Sequence, residues 1–380
     1  MIVKIRDLDR KLLTLYAIIF SISLGGGIVT PMIPLYAQSI GASYLDLGLI
    51  GSSYAIIYTF LALPSGTLSD KMGRQKTIIL SISLFGIVAI SYPLVKEVKY
   101  LIFIRGLEGL AWSLFWPSIE ALTTEMSESK IVGKAMGLGT TFYGIGFLLG
   151  SFLGGLLVEY YGFFTAFILY FIFSIFTLPL TTSIKEKHFF KKLKETINRV
   201  ALLMVYIISF SYSVTLGVLL TLFPVYAKGL GISPLLIGLL FTLFWLGRII
   251  AFLYTGELSD KLGREAILLP ALIGITITNL LITLFKDFWL LLVIILIMGI
   301  STGAIFPVSI ALISDVTPIS KRGMAMGLFE AFSGLGMFIG SISGGILAET
   351  FGANYPYLLC SLFTGFSSLV FFIKKIFKST

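Results

Sequence analysis

The chain has little of what most catalytic and metal-binding sites are made from. Its 380 residues include one cysteine, Cys360, and one histidine, His188. A lone thiol permits no intramolecular disulfide, and a lone imidazole argues against His-based metal clusters and Ser-His-Asp catalysis. No cofactor, metal or enzymatic activity is expected. Side-chain amides are confined to Gln38, Gln75, Asn198, Asn279 and Asn354. A sugar site needs convergent hydrogen-bonding groups, so sugar uptake is disfavoured. Charged residues make up only 12% of the chain, against about 25% in a soluble domain.

Apolar residues fill that space, at 57% of the chain and a mean hydropathy of +1.00. Apolar runs of about 20 residues, long enough to cross a bilayer as helix, recur near 12–36, 45–67, 77–95, 100–124, 133–157, 162–182, 200–226, 234–256, 267–285, 288–314, 323–347 and 354–373. A β-barrel would alternate polar and apolar residues in segments of about ten, and the run Trp289 to Ile297 does not alternate. The first run is too long for a signal-peptide core of about 7–15 residues and reads as a retained span.

Half of the chain repeats the other half. Gly66-Thr67-Leu68-Ser69-Asp70-Lys71-Met72-Gly73-Arg74 returns 190 residues later as Gly256-Glu257-Leu258-Ser259-Asp260-Lys261-Leu262-Gly263-Arg264. Pro34 meets Pro224, Tyr36 meets Tyr226, and Pro117 meets Pro307 at the same offset. The period far exceeds the 20–50 residues of a solenoid unit, so each copy is a whole folding module. The division is 1–182 and 200–380, joined by a basic linker over 183–199.

Basic residues set the orientation, because Lys and Arg are retained on the cytoplasmic side of short loops. With both termini inside, the inner segments take most of them, including Lys71, Arg74, Lys76, Lys261, Arg264 and the linker. The outer loops hold only Lys96, Lys99, Lys228 and Lys286. The net charge of +9 is thus a topology signal. Dispersal over short loops also excludes the continuous basic surface a nucleic acid would need. In the linker, Phe189, Phe190, Leu193 and Ile197 recur among lysines, as in a helix lying on an anionic leaflet or in a plain charged tether.

Six plus six spans, a basic central loop and the duplicated nine-residue motif together resemble the major facilitator superfamily of secondary transporters. The resemblance implies an all-α integral membrane protein with twelve transmembrane helices in two parallel six-helix repeats, and a substrate site near the midplane between them. It also implies that the motif loops latch the halves together on the cytoplasmic side in the outward-facing state. The latch residues are then Gly66, Asp70, Gly73 and Arg74, with Asp260, Gly263 and Arg264 in the repeat. Glu125 and Asp315 are the acidic partners. Asp70 and Asp260 can cap a neighbouring helix, Arg74 and Arg264 can hold carboxylates, and Gly66 and Gly73 allow close approach and a tight turn. A role in insertion and folding alone is the other reading of these loops.

The fifth span carries Gly137, Gly146, Gly150, Gly154 and Gly155, and the eleventh repeats them as Gly327, Gly336, Gly340, Gly344 and Gly345. Glycines four apart make a smooth stripe for helix packing. The first copy resembles the antiporter signature of facilitator drug exporters, with Ser151 where that signature has proline. Arg105-Gly106-Leu107-Glu108-Gly109 resembles the Arg-x-x-Gln-Gly motif of proton-coupled drug exporters, with Glu108 in place of Gln.

Arg105 and Glu108, three residues apart, can pair on one helix face. Buried ionisable groups in a membrane mark relays or ligand contacts, although a structural ion pair is the other reading. Their repeat counterparts, Ile295 and Met298, are apolar. Trp112 and Trp116 follow on the same span and suit an apolar or aromatic ligand. Arg248 and Glu330 are further coupling or substrate candidates. Glu120 and Glu330 lie near the inner ends of their spans, where a latch role is equally open, and Asp46 suits a helix start.

The expected function is secondary active transport by alternating access, with proton-coupled export of hydrophobic or cationic small molecules. The alternatives are a symporter or facilitator importing a nutrient or organic anion, and a transport-inactive sensor or scramblase. The expected partners are a small-molecule substrate, protons and membrane lipids. The chain is expected to act as a monomer in the plasma membrane.

Overall fold

The computed structural model describes residues 10–127, 132–182, 199–317 and 319–379. Residues 183–198, which include most of the linker and His188, lie outside the described residues. All regular structure among those described is helical. The helices are α1 (Arg10–Val29), α2 (Ile33–Ser39), α3 (Tyr44–Met72), α4 (Arg74–Ser91), α5 (Val98–Met126), α6 (Val132–Tyr161) and α7 (Phe163–Thr181) in the first half. The second half has α8 (Arg199–Thr221), α9 (Phe223–Gly229), α10 (Pro234–Leu262), α11 (Arg264–Leu284), α12 (Phe288–Val316), α13 (Ile319–Phe351) and α14 (Tyr355–Ser379). Twelve are long, as the sequence predicts. Eleven of these are apolar enough to cross a bilayer. The twelfth, α5, matches them in length at 29 residues but is made less apolar by Arg105, Glu108, Glu120 and Glu125.

Two expected spans break in the same place. The first divides into α1 and α2, and the seventh into α8 and α9, with Pro34 and Pro224 in the opening turn of each short helix. Proline lacks an amide hydrogen and favours a helix start over an interior. The nine-residue motif, expected as a loop, is mostly helix. α3 runs through Asp70 to Met72, α4 starts at Arg74, and the corner is Gly73 alone at φ 97°. Gly263 turns the same corner at φ 92°. A side chain at either position would strain the backbone.

Within the first half α1 packs on α6 and α7, α3 on α5, and α4 on α5 and α7. In the second, α8 packs on α13 and α14, α10 on α12, and α11 on α12 and α14. The halves meet along two seams, α6 against α10 and α3 against α13. An even number of spans puts both chain ends on one side, here called the termini face; the other is the distal face.

The glycine stripes locate these contacts. A methyl group at Gly150 would collide with the carbonyl of Leu24 and the amide of Ile28, and one at Gly154 with the carbonyl of Ile28. Gly146 abuts Ser23 and Leu24, so α6 is pressed onto α1. Gly336, Gly340 and Gly344 abut Phe210, Val214 and Leu222 in the same way, pressing α13 onto α8. α6 is continuous, so Ser151 marks no break in the helix. Gly155 and Gly345 turn to the opposite half, where they meet Gly238 and Gly48. Gly137 departs from the expected stripe, with open space around it. Gly327, one turn before Glu330 on α13, occupies the equivalent position in the repeat.

The halves converge at the distal face. Beside the two glycine contacts, the Tyr44 amide at the start of α3 donates to Glu349 Oε2 of α13 at 2.8 Å. The Leu235 amide of α10 donates to Glu159 Oε2 of α6 at 3.3 Å. Each half thus caps a helix of the other with a carboxylate, where the free amides and helix dipole favour an anion. Pro234 has no amide hydrogen, which moves the second bond one residue along. The α3 end also has a capping box, with Ser43 N to Asp46 Oδ2 at 2.9 Å and Asp46 N to Ser43 Oγ at 3.2 Å, the helix-start role expected of Asp46.

Candidate transport site

Between the two seams lies a cavity of about 200 Å³. Its walls are mainly rings, because the helices facing it carry aromatic residues at helical spacing. Trp112 and Trp116 come from α5, Tyr143 and Phe147 from α6, and Trp245 from α10. The rings touch across the seam, with Phe147 4.6 Å and Tyr143 5.4 Å from Trp245 between centroids. Trp116 lies 5.2 Å from Tyr143. Trp112 packs edge-on against Phe85 at 5.0 Å and is buried into its own half.

Arg105 and Glu108 also line the cavity, and they are paired. Glu108 Oε2 accepts from Arg105 Nη1 and from the Tyr92 hydroxyl. The Glu108 side chain is 2% exposed, and the Arg105 guanidinium stacks 4.7 Å over Tyr54. The charge of the carboxylate is compensated on the spot by a cation and a phenol. In the second half the counterparts of Tyr92, Arg105 and Glu108 are Ile282, Ile295 and Met298, all fully buried. One half carries a polar triad where the other carries apolar core.

Arg248 and Glu330 face the same cavity from opposite seams. Glu330, on α13, accepts from the Tyr58 hydroxyl of α3 at 3.3 Å, a bond that joins the two halves. Glu120, on α5, is close enough to Glu330 for their charges to interact. Arg248 lies among rings of its own helix, 4.9 Å from Trp245, 5.5 Å from Phe252 and 5.7 Å from Phe244. Among the described residues it has no carboxylate partner and no hydrogen bond, and its buried Nε is unsatisfied.

The motif residues gather at the termini face, where each arginine meets the acidic partner expected of it. Arg74 pairs with Asp70 and, at 3.3 Å, with Glu125. Arg264 pairs with Asp260 and, at 3.0 Å, with Asp315, and also donates to Ser259 at 2.7 Å. Both clusters lie within one half. Asp70 and Asp260 do not cap α4 and α11, whose first residues follow the glycine corners with no side-chain cap. The arginines four residues on hold those carboxylates instead. Gly66 and Gly256 face open space. In this structure, therefore, the cross-half closure is at the distal face, and among the described residues the ion pairs of the motif clusters each stay within one half.

Sequence reasoning missed Tyr92, Tyr58, Glu159 and Glu349. Two signals were available. Glu159 and Glu349 are 190 residues apart, as Glu125 and Asp315 are, and Tyr92 stands against an apolar Ile282 in the repeat. Asn279, the amide within a span, donates to Thr215 at 3.1 Å in the second-half core and does not line the cavity.

The fold matches transporters of known structure. The human organic anion transporter MFSD10 (TETRAN) superposes with a TM-score of 0.73 at 16% identity, covering 95% of this chain and 99% of that one. A point mutant of the nucleoside transporter NupG gives 0.79 at 13% identity with the same coverage. In sequence, the chain is 26% identical over 371 residues to an uncharacterized MFS-type transporter of Methanocaldococcus jannaschii, covering 94% of this chain and 96% of that one. It is 25% identical to the quinolone resistance protein NorA of Staphylococcus aureus strain COL, covering 90% and 91%. It is 26% identical to multidrug resistance protein 2 of Bacillus subtilis strain 168, covering 93% and 91%. These proteins are transporters and not enzymes, and two carry drug-resistance names. Residues 15–201 and 205–378 match the family described as Major Facilitator Superfamily; with its paired six-helix halves around a central cavity, this multi-pass membrane protein belongs to that superfamily.

Proposed function

We propose that the chain is a proton-coupled secondary transporter that exports small molecules with a hydrophobic, aromatic body by alternating access. The observation that carries this reading is the central cavity, walled by rings from both halves and holding ionisable groups on each seam. The drug-resistance names of the relatives in Staphylococcus aureus and Bacillus subtilis support efflux over uptake. Residues 1–182 and 200–380 act as the two rocking units, and 183–199 tethers them. The cavity draws on one chain alone, so a monomer is the working unit. The Lys and Arg of alternate loops support a plasma-membrane protein with its termini face in the cytoplasm.

Coupling falls to Glu330. A proton carrier has to exchange its proton with water during the cycle. Glu108 is buried between Arg105 and Tyr92, whereas Glu330 is held by one hydroxyl across a seam that has to shear when the halves move. Glu120 is an acidic neighbour whose charge interacts with it. The Arg105–Glu108 pair thereby takes a structural role, and the motif clusters at Arg74 and Arg264 bias the conformational equilibrium.

The test is flux in proteoliposomes selected for inside-out orientation. An acid interior should drive accumulation of labelled aromatic compounds, and Glu330→Gln should lose that accumulation while keeping energy-independent exchange. Accumulation only with the gradient reversed, so that proton and substrate enter together from an acid exterior, would make the protein a symporter and an importer. Insensitivity of the wild type to the pH gradient would remove proton coupling.

A further inference from the structure

Arg248 is the cation in the cavity that, among the described residues, pairs with no carboxylate. Its side chain is buried, with the residue only 9% exposed. A guanidinium offers five donors and keeps its charge in proteins, and a cation out of water is costly unless paired and hydrogen-bonded. Arg105 meets that requirement through Glu108. Arg248, among the described residues, has the faces of Phe244, Trp245 and Phe252, with Tyr143 and Tyr212 within electrostatic reach, and no carboxylate. Glu330 is taken up by Tyr58 on the other seam.

Ring faces stabilise a cation but accept none of its hydrogen bonds in the planar geometry a guanidinium favours. The missing complement is an anion with two coplanar oxygens, which the guanidinium fork binds bidentately. Trp245, the ring nearest Arg248, also contacts Phe147 and Tyr143. A cargo anchored by its acidic group would therefore lay a flat body against this ring cluster.

Resting on the transport reading above, we propose that Arg248 is the recognition point for an aromatic organic anion, a ring system bearing a carboxylate or similar oxyanion. This replaces the expected cationic cargo with an anionic one, the charge that the sequence admitted only for the importer alternative. The N-terminal half contributes rings and a self-neutral ion pair, and the C-terminal half contributes Trp245, the unpaired Arg248 and, on the other seam, the carboxyl of Glu330.

The test measures binding of three matched probes to the full-length protein in lipid nanodiscs by calorimetry: 2-naphthoate, neutral 2-naphthamide and 2-naphthylmethylammonium. Naphthoate should bind at least tenfold more tightly than naphthamide, and the ammonium most weakly. Arg248→Gln should bring naphthoate down to the affinity of naphthamide without weakening naphthamide, while Arg248→Lys keeps part of the preference. Naphthamide or the ammonium binding as tightly as naphthoate, a preference surviving in Arg248→Gln, or no binding of any probe would each overturn the proposal. Should Arg248→Gln fail to fold, the Lys variant decides: a reduced naphthoate preference supports the assignment, and an unchanged one overturns it.

Flux of the same probes separates the two readings. If liposomes carry the amide and ammonium but not naphthoate, transport stands and the anion assignment falls. If naphthoate binds through Arg248 and no probe is moved, the assignment stands and transport falls.

Discussion

Glu108 illustrates how far a single residue can be read without its surroundings. Its position three residues after Arg105 announces the pair, and a buried ion pair inside a span invites a functional role. What the sequence does not convey is the third member, because Tyr92 comes from the turn before α5 and its link to Glu108 depends on how α4 and α5 pack. With two donors in place, the carboxylate is a structural part of the half. Glu108→Gln should leave Arg105 buried and unpaired and destabilise the fold by about 3–5 kcal/mol. Replacing both Arg105 and Glu108 by methionine, toward the Ile295 and Met298 of the other half, should recover most of that loss. Thermal unfolding in detergent checks both, and a Glu108→Gln protein as stable as wild type would return the residue to the list of proton carriers.

At the scale of elements, helix number and the glycine stripes were legible because apolar runs and glycines act locally. The breaks after Val29 and Thr221 were not read, although Pro34 and Pro224 in the opening turns of α2 and α9 act just as locally. The motif at Gly73 was harder to read, because a polar segment between apolar runs looks like a loop, yet a single positive-φ glycine suffices to turn the corner. The stripe was over-read at Gly137, since spacing alone does not say where two helices diverge. Gly150→Leu and Gly340→Leu should force α6 off α1 and α13 off α8. A clash with backbone cannot be relieved by a rotamer change, so a loss of about 1–3 kcal/mol or more is expected. Gly137→Leu should leave the melting temperature unchanged. A common effect at all three positions would refute the packing described here.

For the whole molecule, the duplication was legible and its use was not. Equal spacing predicts two similar halves, and they meet symmetrically at the distal face through Glu159 and Glu349. The site is asymmetric, because Arg248 faces Tyr58 in the repeat and Glu330 faces Thr140. The ion pairs among the described residues each lie within one half, and what joins the halves at the site, the Tyr58 hydroxyl on Glu330, is a contact that no spacing records. The two trans caps should each favour the distally closed state by about 0.3–1 kcal/mol. The double variant Glu159→Gln/Glu349→Gln should then shift the ratio of the two states by roughly 3- to 30-fold. Distances between spin labels at the distal ends of α3 and α13 report that shift, and unchanged populations would leave the closure to the glycine contacts alone.

The ring contacts of Arg248 have a mechanical corollary. Phe244, Trp245 and Phe252 all belong to α10, so the guanidinium and its ring neighbours ride together on the C-terminal body. Tyr58, Trp116 and Tyr143 ride on the other. In a rocking cycle a cargo fastened to Arg248 is a passenger of the C-terminal body, and the aromatic wall of the N-terminal body slides over it like a shutter, with the Tyr58–Glu330 bond as the catch that has to open before the shutter moves.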